Sequence, residues 1–186
     1  MEARRTLLNR VVAAVLVLFC AFGQAFADDV ALDDLFSRLP EASQGEADRI
    51  TESIWIEWSK SGSASMDLML ERGRDAMGMG QLDVAVEHFT ALIDHAPDFA
   101  EGYNARATAY YQSGDLGPSI SDIAKTLELN PRHFGALSGL GMIFEELGRP
   151  EKALEAYRAA QSVNPHLTAV KESIERLEAE LSGQDL

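Results

Sequence analysis

The chain has almost no cysteine and few basic residues. Its one cysteine is Cys20, close to the N-terminus, so the rest of the chain has no thiol for a disulfide, a thiolate metal site or cysteine catalysis. Lysine and arginine number 16 against 30 aspartate and glutamate residues, and the formal net charge is −14. Because such a surface repels phosphate backbones and anionic lipid, the composition excludes nucleic acid as a partner.

Sequence motifs of catalysis and metal binding are also missing. The chain has no Gly-Lys-Ser/Thr phosphate loop, no nucleophile elbow, no haem-attachment motif and no His-Glu-x-x-His zinc pattern. Four histidines are present, and we interpret them as turn and surface residues: His88, His95, His133 and His166. The sequence therefore predicts a protein that is not an enzyme, with no catalytic residue, no metal site and no cofactor.

Four methionines are grouped near the middle of the chain: Met66, Met69, Met77 and Met79. Thioethers are soft ligands that suit Cu(I). Methionine also fills irregular cores, and we expect this group to pack in a core. Copper handling is kept as an alternative function.

Long apolar runs occur only at the N-terminus. Three arginines within residues 4–10 precede an apolar run at 11–22, and Ala-Phe-Ala at 25–27 fits a small-x-small cleavage site. The run is too short to span a bilayer of about 30 Å as a helix. We expect residues 1–27 to be a signal peptide cleaved after Ala27, which places the chain in the periplasm or another extracytoplasmic compartment without membrane insertion. Two adjacent arginines leave a twin-arginine export route open.

Three prolines and three glycines recur with a period of 34 residues: Pro97, Pro131 and Pro165, and Gly80, Gly114 and Gly148. A fixed period of this length is typical of a repeat array. Glycine at a helix end adopts left-handed backbone angles easily, and a proline beyond the next helix prevents that helix from continuing. The period predicts three helix-turn-helix units at 66–99, 100–133 and 134–167.

Matching places in the three units carry residues of matching size. The eighth place is small and the twenty-fourth is large: Gly73, Ala107 and Gly141, and Phe89, Ile123 and Tyr157. These residues resemble the tetratricopeptide repeat, with the closest match at 100–111. The resemblance implies an all-α solenoid of three helix-turn-helix repeats. Arg72 and Arg106 replace the family's usual leucine at the seventh place, and we expect their stems to cover apolar surface while the guanidinium heads reach water.

A repeat array needs end caps, because its terminal units otherwise expose an apolar face. Residues 168–186 are predicted to form a capping helix and tail, with four apolar residues at helical spacing: Val170, Ile174, Leu177 and Leu181. Residues 28–65 are predicted to form an N-terminal helical cap or a degenerate repeat. Trp55 and Trp58 are expected to seal the first repeat, with an exposed anchor for a partner or a second copy as the alternative.

In the tetratricopeptide repeat family, the first helices of successive repeats line a concave groove that binds segments of other proteins. The resemblance, carried over place by place, implies such a groove here, lined by Arg74, Asn104, Thr108, Tyr111, Ser138, Met142 and Arg176. Asparagine pairs with backbone donors and acceptors, and tyrosine offers contact area with a polar tip. Acidic neighbours such as Glu101 and Glu145 favour a neutral or basic ligand.

One subtype of the family is disfavoured by the residues at its diagnostic places. Co-chaperone repeats hold a partner's C-terminal carboxylates with lysine, asparagine and arginine. The matching places here are Leu70, Arg74, Ala105, Gly135 and Gly139. Of these, only the arginine could serve.

The sequence thus predicts an exported, non-enzymatic adaptor or scaffold. It is expected to be a monomer that holds a neutral or basic segment of a partner protein in its groove. The alternative is a structural or assembly subunit that acts through its convex face or through the helix with two tryptophans.

Overall fold

The computed structural model describes residues 31–184 of the chain, which fall into two units that divide after Arg38. Residues 31–38 are helical and belong to the first unit. The second unit begins with a 3-10 turn at Leu39–Glu41. Its α-helices are α1 (Gln44–Trp58), α2 (Ala64–Gly78), α3 (Leu82–His95), α4 (Ala100–Gln112), α5 (Leu116–Leu129), α6 (Phe134–Glu146), α7 (Pro150–Val163) and α8 (Thr168–Gln184). The predicted signal peptide at 1–27 and its cleavage site lie outside the described residues.

The glycines of the 34-residue period lie in the turns between paired helices. Gly80, Gly114 and Gly148 have φ angles of 72°, 80° and 63°, a region that side chains make unfavourable. At the second turn the N–H of Asp115 donates to the carbonyl of Tyr110 at 2.9 Å. This bond satisfies a carbonyl that the helix end would leave without a partner. Each repeat therefore turns tightly at the place where the sequence predicts it.

Small residues at the eighth place let the two helices of a repeat approach closely. A Cβ atom on Gly73 would lie 2.3 Å from Cε1 of Phe89, and one on Gly141 would lie 2.5 Å from Cε1 of Tyr157. In the second repeat Ala107 and Ile123 share a buried cluster with residues of α6. The large and small places thus interlock within each repeat and link it to the next.

The C-terminal helix α8 buries its apolar stripe against α7. Val170, Ile174 and Leu177 are each at most 6% exposed and share a cluster with Leu154 and Tyr157 of the third repeat. The opposite face of α8 is exposed, and its Glu178 forms an exposed ion pair with Arg158 of α7 at 2.7 Å. α8 therefore covers the apolar side that the last repeat presents.

The first repeat ends the array with charged residues of its own. In the second repeat Ala105 and Ala109 are buried against the first. The matching places in the first repeat are Glu71 and Asp75, which are exposed, as is Arg72 between them. A polar outer face is what a terminal repeat needs for solubility, so the first repeat presents the kind of face that ends an array.

The guanidinium of Arg106 was expected to reach water, but it is bound by side chains of the repeats instead. Its Nε and NH2 atoms donate to the two carboxylate oxygens of Asp122 at 2.7 and 2.9 Å, and its NH1 donates to Thr90 at 3.0 Å. The Arg106 side chain is 18% exposed. The expectation was wrong for Arg106 because an acidic partner on α5 holds the head inside the stack, whereas Arg72 is exposed as expected.

Helix α1 does not seal the first repeat, contrary to the expectation for its tryptophans. Trp55 and Trp58 lie against His133 and Phe134, where the third repeat begins. The physical reason is the difference between the outer face of the first repeat and the start of α6. The outer face of the first repeat is charged, whereas the start of α6 offers aromatic rings and, at Gly135, room for an indole.

The described residues confirm the predicted all-helical solenoid of repeats. Consecutive helices from α2 to α8 pack against one another along the chain. Within residues 31–184 no helix is long and apolar enough to cross a membrane.

Candidate peptide-binding groove

A cavity of about 300 Å³ opens between α4 and α6, the first helices of the second and third repeats. Five of the seven residues expected in the groove line it: Asn104, Thr108, Tyr111, Ser138 and Met142. Apolar side chains complete the wall, including Ala107, Ile123 and Ile143. This volume lies at the lower end of the range for ligand pockets, and the apolar lining fits a large apolar side chain.

The rim of the cavity presents hydrogen-bond acceptors. The hydroxyl of Thr108 donates to the carbonyl of Asn104 at 2.9 Å, and the hydroxyl of Ser138 donates to the carbonyl of Phe134 at 2.7 Å. Each hydroxyl proton is used within its own helix, so each hydroxyl oxygen can accept a hydrogen bond from a ligand. The rim is therefore suited to the N–H groups of a peptide backbone.

A buried polar network adjoins the cavity at Asn104. The Asn104 amide donates to Oε2 of Glu101 at 3.1 Å, and Nε2 of His133 lies 2.9 Å from the same oxygen. The backbone N–H of Ala136 donates to Nδ1 of His133 at 3.0 Å, so Nε2 carries the proton of the neutral ring and donates to Glu101. Glu101 is 3% exposed and His133 is fully buried.

Arg74 belongs to this network and does not line the cavity. Its NH2 group donates to Oε1 of Glu101, and its NH1 group donates to the hydroxyl of Ser59 at 3.0 Å. The Arg74 side chain is 39% exposed. Its charge is therefore already directed at a carboxylate of the same chain.

Arg176 also lies outside the cavity lining. Its NH2 group lies 2.7 Å from Oε2 of Glu145, and the hydroxyl of Tyr157 donates to Oε1 of the same carboxylate at 2.7 Å. Burial raises the pKa of Tyr157 above its usual range, and the hydrogen bond to Glu145 raises it further. Arg176 thus joins α8 to the third repeat through Glu145.

The electrostatics of the groove differ from what its acidic residues suggest. Glu101 and Glu145, which favoured a basic ligand on sequence grounds, are both paired with arginines of this chain. The residues that line the cavity include no aspartate, glutamate, lysine or arginine. The cavity itself therefore favours an uncharged group.

Helix α1 borders the cavity at Gly135. A Cβ atom on Gly135 would lie 2.4 Å from Cη2 of Trp55, and Gly135 is also a lining residue. Trp58 stacks on His133 with ring centroids 4.2 Å apart and an interplanar angle of 16°. Trp58 is 8% exposed, so it is not the exposed anchor considered as the alternative.

Sequence reasoning missed His133 as part of this region, and it did not foresee that Gly135, a groove place, would lie against a tryptophan. His133 was interpreted as a surface residue of a turn, and it is buried under an indole. A signal was present, because Gly135 replaces a side chain at a groove place and the only two tryptophans of the chain lie on one helix. Pairing the two needed a contact between positions about 80 residues apart, which no local pattern encodes.

The methionine group divides between core and surface. Met66, Met69 and Met77 pack against the buried cluster of the first repeat, while Met79 is 72% exposed. In the part of the chain that the structure describes, no three His, Cys, Asp or Glu side chains are placed to hold a metal ion.

The helix pairs stack at one fixed period, and a groove runs along their first helices. This arrangement defines a helical-repeat solenoid. The tetratricopeptide repeat model matches residues 70–122 and 105–165. A TPR repeat-containing protein of Rhizobium etli is 34% identical over 153 residues, which cover 82% of this chain and 75% of that protein. The chain therefore belongs to the tetratricopeptide repeat family.

Other similar proteins share the repeats over part of their length. The small glutamine-rich tetratricopeptide repeat-containing protein 2 of Saccharomyces cerevisiae is 28% identical, and the match covers 66% of this chain but 35% of the yeast protein. The first TPR of Spaghetti (RPAP3), solved bound to an HSP90 peptide, has a TM-score of 0.60 at 21% identity over 63% of this chain and 93% of that one.

The Yersinia enterocolitica type III secretion chaperone SycD, solved with a peptide of the translocator YopD, also has a TM-score of 0.60. Its identity is 12%, over 63% of this chain and 95% of that one. At these identities the structural similarity shows the fold.

Proposed function

We propose that this protein is an exported, non-enzymatic adaptor that holds a segment of a partner protein in the cavity between α4 and α6. The observation that carries the proposal is the cavity itself, where five groove residues surround an apolar wall with acceptors at the rim. A peptide ligand is supported by the two structural relatives that were solved with partner peptides.

The chemistry of the cavity specifies the segment. An uncharged, mostly apolar lining fits a large apolar side chain of the partner, and acceptors on Thr108 and Ser138 fit the backbone N–H groups beside it. Residues flanking this anchor should be neutral or basic, because the chain carries a net charge of −14. We propose that the protein binds this segment as a monomer.

Site-specific photocrosslinking tests the proposal. A photoreactive amino acid at Met142, which lines the cavity and is 46% exposed, should crosslink to one partner segment in cells that make the protein. The same amino acid at Glu155, which is exposed on α7, is the matched control. Mass spectrometry of the crosslinked peptide then identifies the segment.

The identified segment, made as a synthetic peptide, gives an affinity measurement. Met142→Glu places a charge in an uncharged cavity and should weaken binding at least about tenfold, or about 1.4 kcal/mol. Glu155→Lys should leave the affinity unchanged. Equal crosslinking from the two positions, or equal affinity of the two variants, would contradict the proposal.

Substitution of Arg74 is a poor test of binding. Arg74→Glu places a second carboxylate beside Glu101, which is buried. The variant should lose stability because like charges in a buried site repel one another. A loss of binding in that variant would therefore not report on the groove.

Export is the part of the proposal that rests on residues 1–27. Cleavage after Ala27 gives a chain that begins at Asp28. Intact-mass measurement of the protein recovered from the cell envelope should match residues 28–186. A mass that retains the first 27 residues would reject cleavage at this site.

A further inference from the structure

Helix α1 lies against the repeats as a separate element. It runs opposite to the order of the repeats, because its N-terminal end lies near the start of α8 and its C-terminal end near α2. Gln44 donates to the carbonyl of His166 at 3.3 Å, and Arg74 donates to Ser59, the residue after α1, at 3.0 Å. One helix therefore bridges both ends of the array.

The contacts of α1, and of the 3-10 turn before it, fall mainly on the turns that precede the first helices. Asn164, which is fully buried, donates to the hydroxyl of Thr51 at 3.0 Å. His166 donates from Nε2 to the carbonyl of Leu39 at 2.9 Å. Trp55 and Trp58 cover the turn before α6. We call this surface of the repeats the seat; it consists of Arg74, Glu101, His133, Phe134, Gly135, Asn164 and His166.

Although α1 has a buried apolar face, the seat itself is polar. Most of its side chains are polar, and Glu101, His133 and Asn164 are buried with hydrogen-bond partners. The partners of Glu101 and His133 lie within the repeats. The bonds that cross to α1 and its flanking residues are those of Asn164, His166 and Arg74, and these polar groups can exchange their partners for water when the covering element leaves. Two tryptophans at the centre are typical of interface anchors.

The connections of α1 permit such a departure. A short segment at 59–63, Ser-Lys-Ser-Gly-Ser, joins α1 to α2. Gly62 has a φ of 80°, with open space around its Cβ position. Among the described residues the covalent tie between α1 and the repeats is this polar segment.

We propose that α1 is an intramolecular ligand that occupies the seat reversibly, and that the seat binds amphipathic helices with two large aromatic residues three positions apart. Within the chain that helix is α1, and in a complex it is a helix of a partner. Gly135 makes room for the first indole, because a side chain there would collide with it. This inference stands apart from the proposed use of the cavity, although the two sites share Gly135.

Intrinsic fluorescence reports on α1 alone, because the two tryptophans of the chain are Trp55 and Trp58. Gly135→Ala should displace Trp55, so the emission should shift to the red and acrylamide quenching should increase, while the circular dichroism of the repeats is retained. The control is Gly139→Ala on the same helix, where the nearest atom is Ile123 Cδ1 at 3.7 Å. Its emission should match that of the wild type.

Hydrogen exchange on the wild-type chain measures the opening directly. Amides of α1 should exchange at least about tenfold faster than those of α4 and α6, because α1 opens without unfolding the repeats. Equal protection of α1, α4 and α6 would overturn the inference. So would loss of the repeats together with α1 in Gly135→Ala, since either result makes α1 part of one cooperative core.

A labelled peptide of residues 39–60 tests the seat in trans. It should bind the full chain carrying Trp55→Ala and Trp58→Ala, whose own α1 is weakly held and whose seat is intact. It should bind the wild type at least about tenfold more weakly, because an occupied seat reduces apparent affinity. Gly135→Ala should not bind it, nor should a peptide in which both tryptophans are alanine bind any chain.

Two results would reject the binding specificity of the seat. One is peptide binding that is equal for all variants, and the other is absence of binding to the double variant when its repeats are folded. A wild-type chain that is dimeric with α1 exchanged between copies would overturn the intramolecular assignment. None of these measurements uses the partner segment that binds the cavity. Failed crosslinking from Met142 therefore leaves this inference intact.

Discussion

At the scale of single residues, glycine decides where rings and helices can approach one another. Gly73 and Gly141 receive the rings of Phe89 and Tyr157 within their repeats, and Gly135 receives the indole of Trp55 from α1. All three close approaches require glycine for the same reason, because a Cβ atom would lie closer than 3.0 Å to an aromatic carbon. The first two contacts build the repeats, and the third positions an element outside them.

Gly141→Ala should therefore destabilise the protein. A Cβ atom at 2.5 Å from Tyr157 forces the ring or the helices apart, and overpacking of this kind typically costs about 1–3 kcal/mol. Urea unfolding followed by circular dichroism measures the change. Gly139→Ala lies two residues earlier on α6 and has ordinary contacts, so it should keep or slightly increase stability. Equal stability of the two variants would show that Tyr157 yields without strain.

The buried ion pair of Arg106 and Asp122 is a second feature that depends on single residues. Both Asp122 oxygens accept from the guanidinium, whose carbon lies 5.9 Å from the ring centroids of Tyr103 and Tyr110. The hydrogen bond with Asp122 raises the pKa of Arg106. Breaking one partner of such a pair leaves an uncompensated charge inside the stack.

Asp122→Asn should lower the free energy of unfolding by about 3 kcal/mol, the lower part of the range for a broken buried pair, since Arg106 is partly exposed. Glu128→Ala, which removes the exposed partner of Lys125 on the same helix, should change it by less than about 1 kcal/mol. Replacing Arg106 and Asp122 together by leucine should recover most of the loss. Chemical denaturation of the four proteins checks this order.

At the scale of elements, α1 and α8 have opposite relations to the array. α8 continues the stacking by burying Val170, Ile174 and Leu177 on the last repeat. α1 leaves the first repeat uncovered and crosses the turns between repeats. The difference follows from what each end of the array presents, which is an apolar side on α7 and a charged one on α2.

Deletion of residues 168–186 should cause aggregation or a large loss of cooperative stability. The deletion exposes Leu154 and Tyr157, which are 7% and 3% exposed in the intact chain, together with their small neighbours on α7. Light scattering and thermal unfolding measure the effect. Lys171→Ala, on the exposed face of α8, should behave as the wild type. A monomeric truncated chain with unchanged melting would contradict the role of α8 as a cap.

At the scale of the whole molecule, the two ends of the described array present different faces. The first repeat uses Glu71, Arg72 and Asp75 where the second uses Ala105, Arg106 and Ala109 for stacking. We expect charge at these places to disfavour the stacking of another repeat or of a second copy. The net charge of −14 adds a general repulsion between copies.

Replacing the charged residues of that face by apolar ones should make the protein self-associate. The triple variant Glu71→Ala, Arg72→Leu and Asp75→Ala presents an apolar side like that of the second repeat. Sedimentation velocity at increasing concentration should show larger species, because an exposed apolar patch favours association. Glu151→Ala with Glu155→Ala, which removes charge from the exposed face of α7, should sediment as the wild type does. Identical sedimentation of both variants would reject this account of how the array ends.

The sequence by itself determined the repeats. The 34-residue period, the turn glycines and the alternation of small and large places are local patterns, and they predicted the helices and their pairing. The resemblance to the tetratricopeptide repeat, carried over place by place, implied the five residues that share one cavity. The tertiary structure decided where α1 lies, which partners Arg74 and Arg106 have, and that His133 is buried. Each of these depends on contacts between distant positions, and such contacts are fixed by which surfaces remain uncovered once the repeats have stacked.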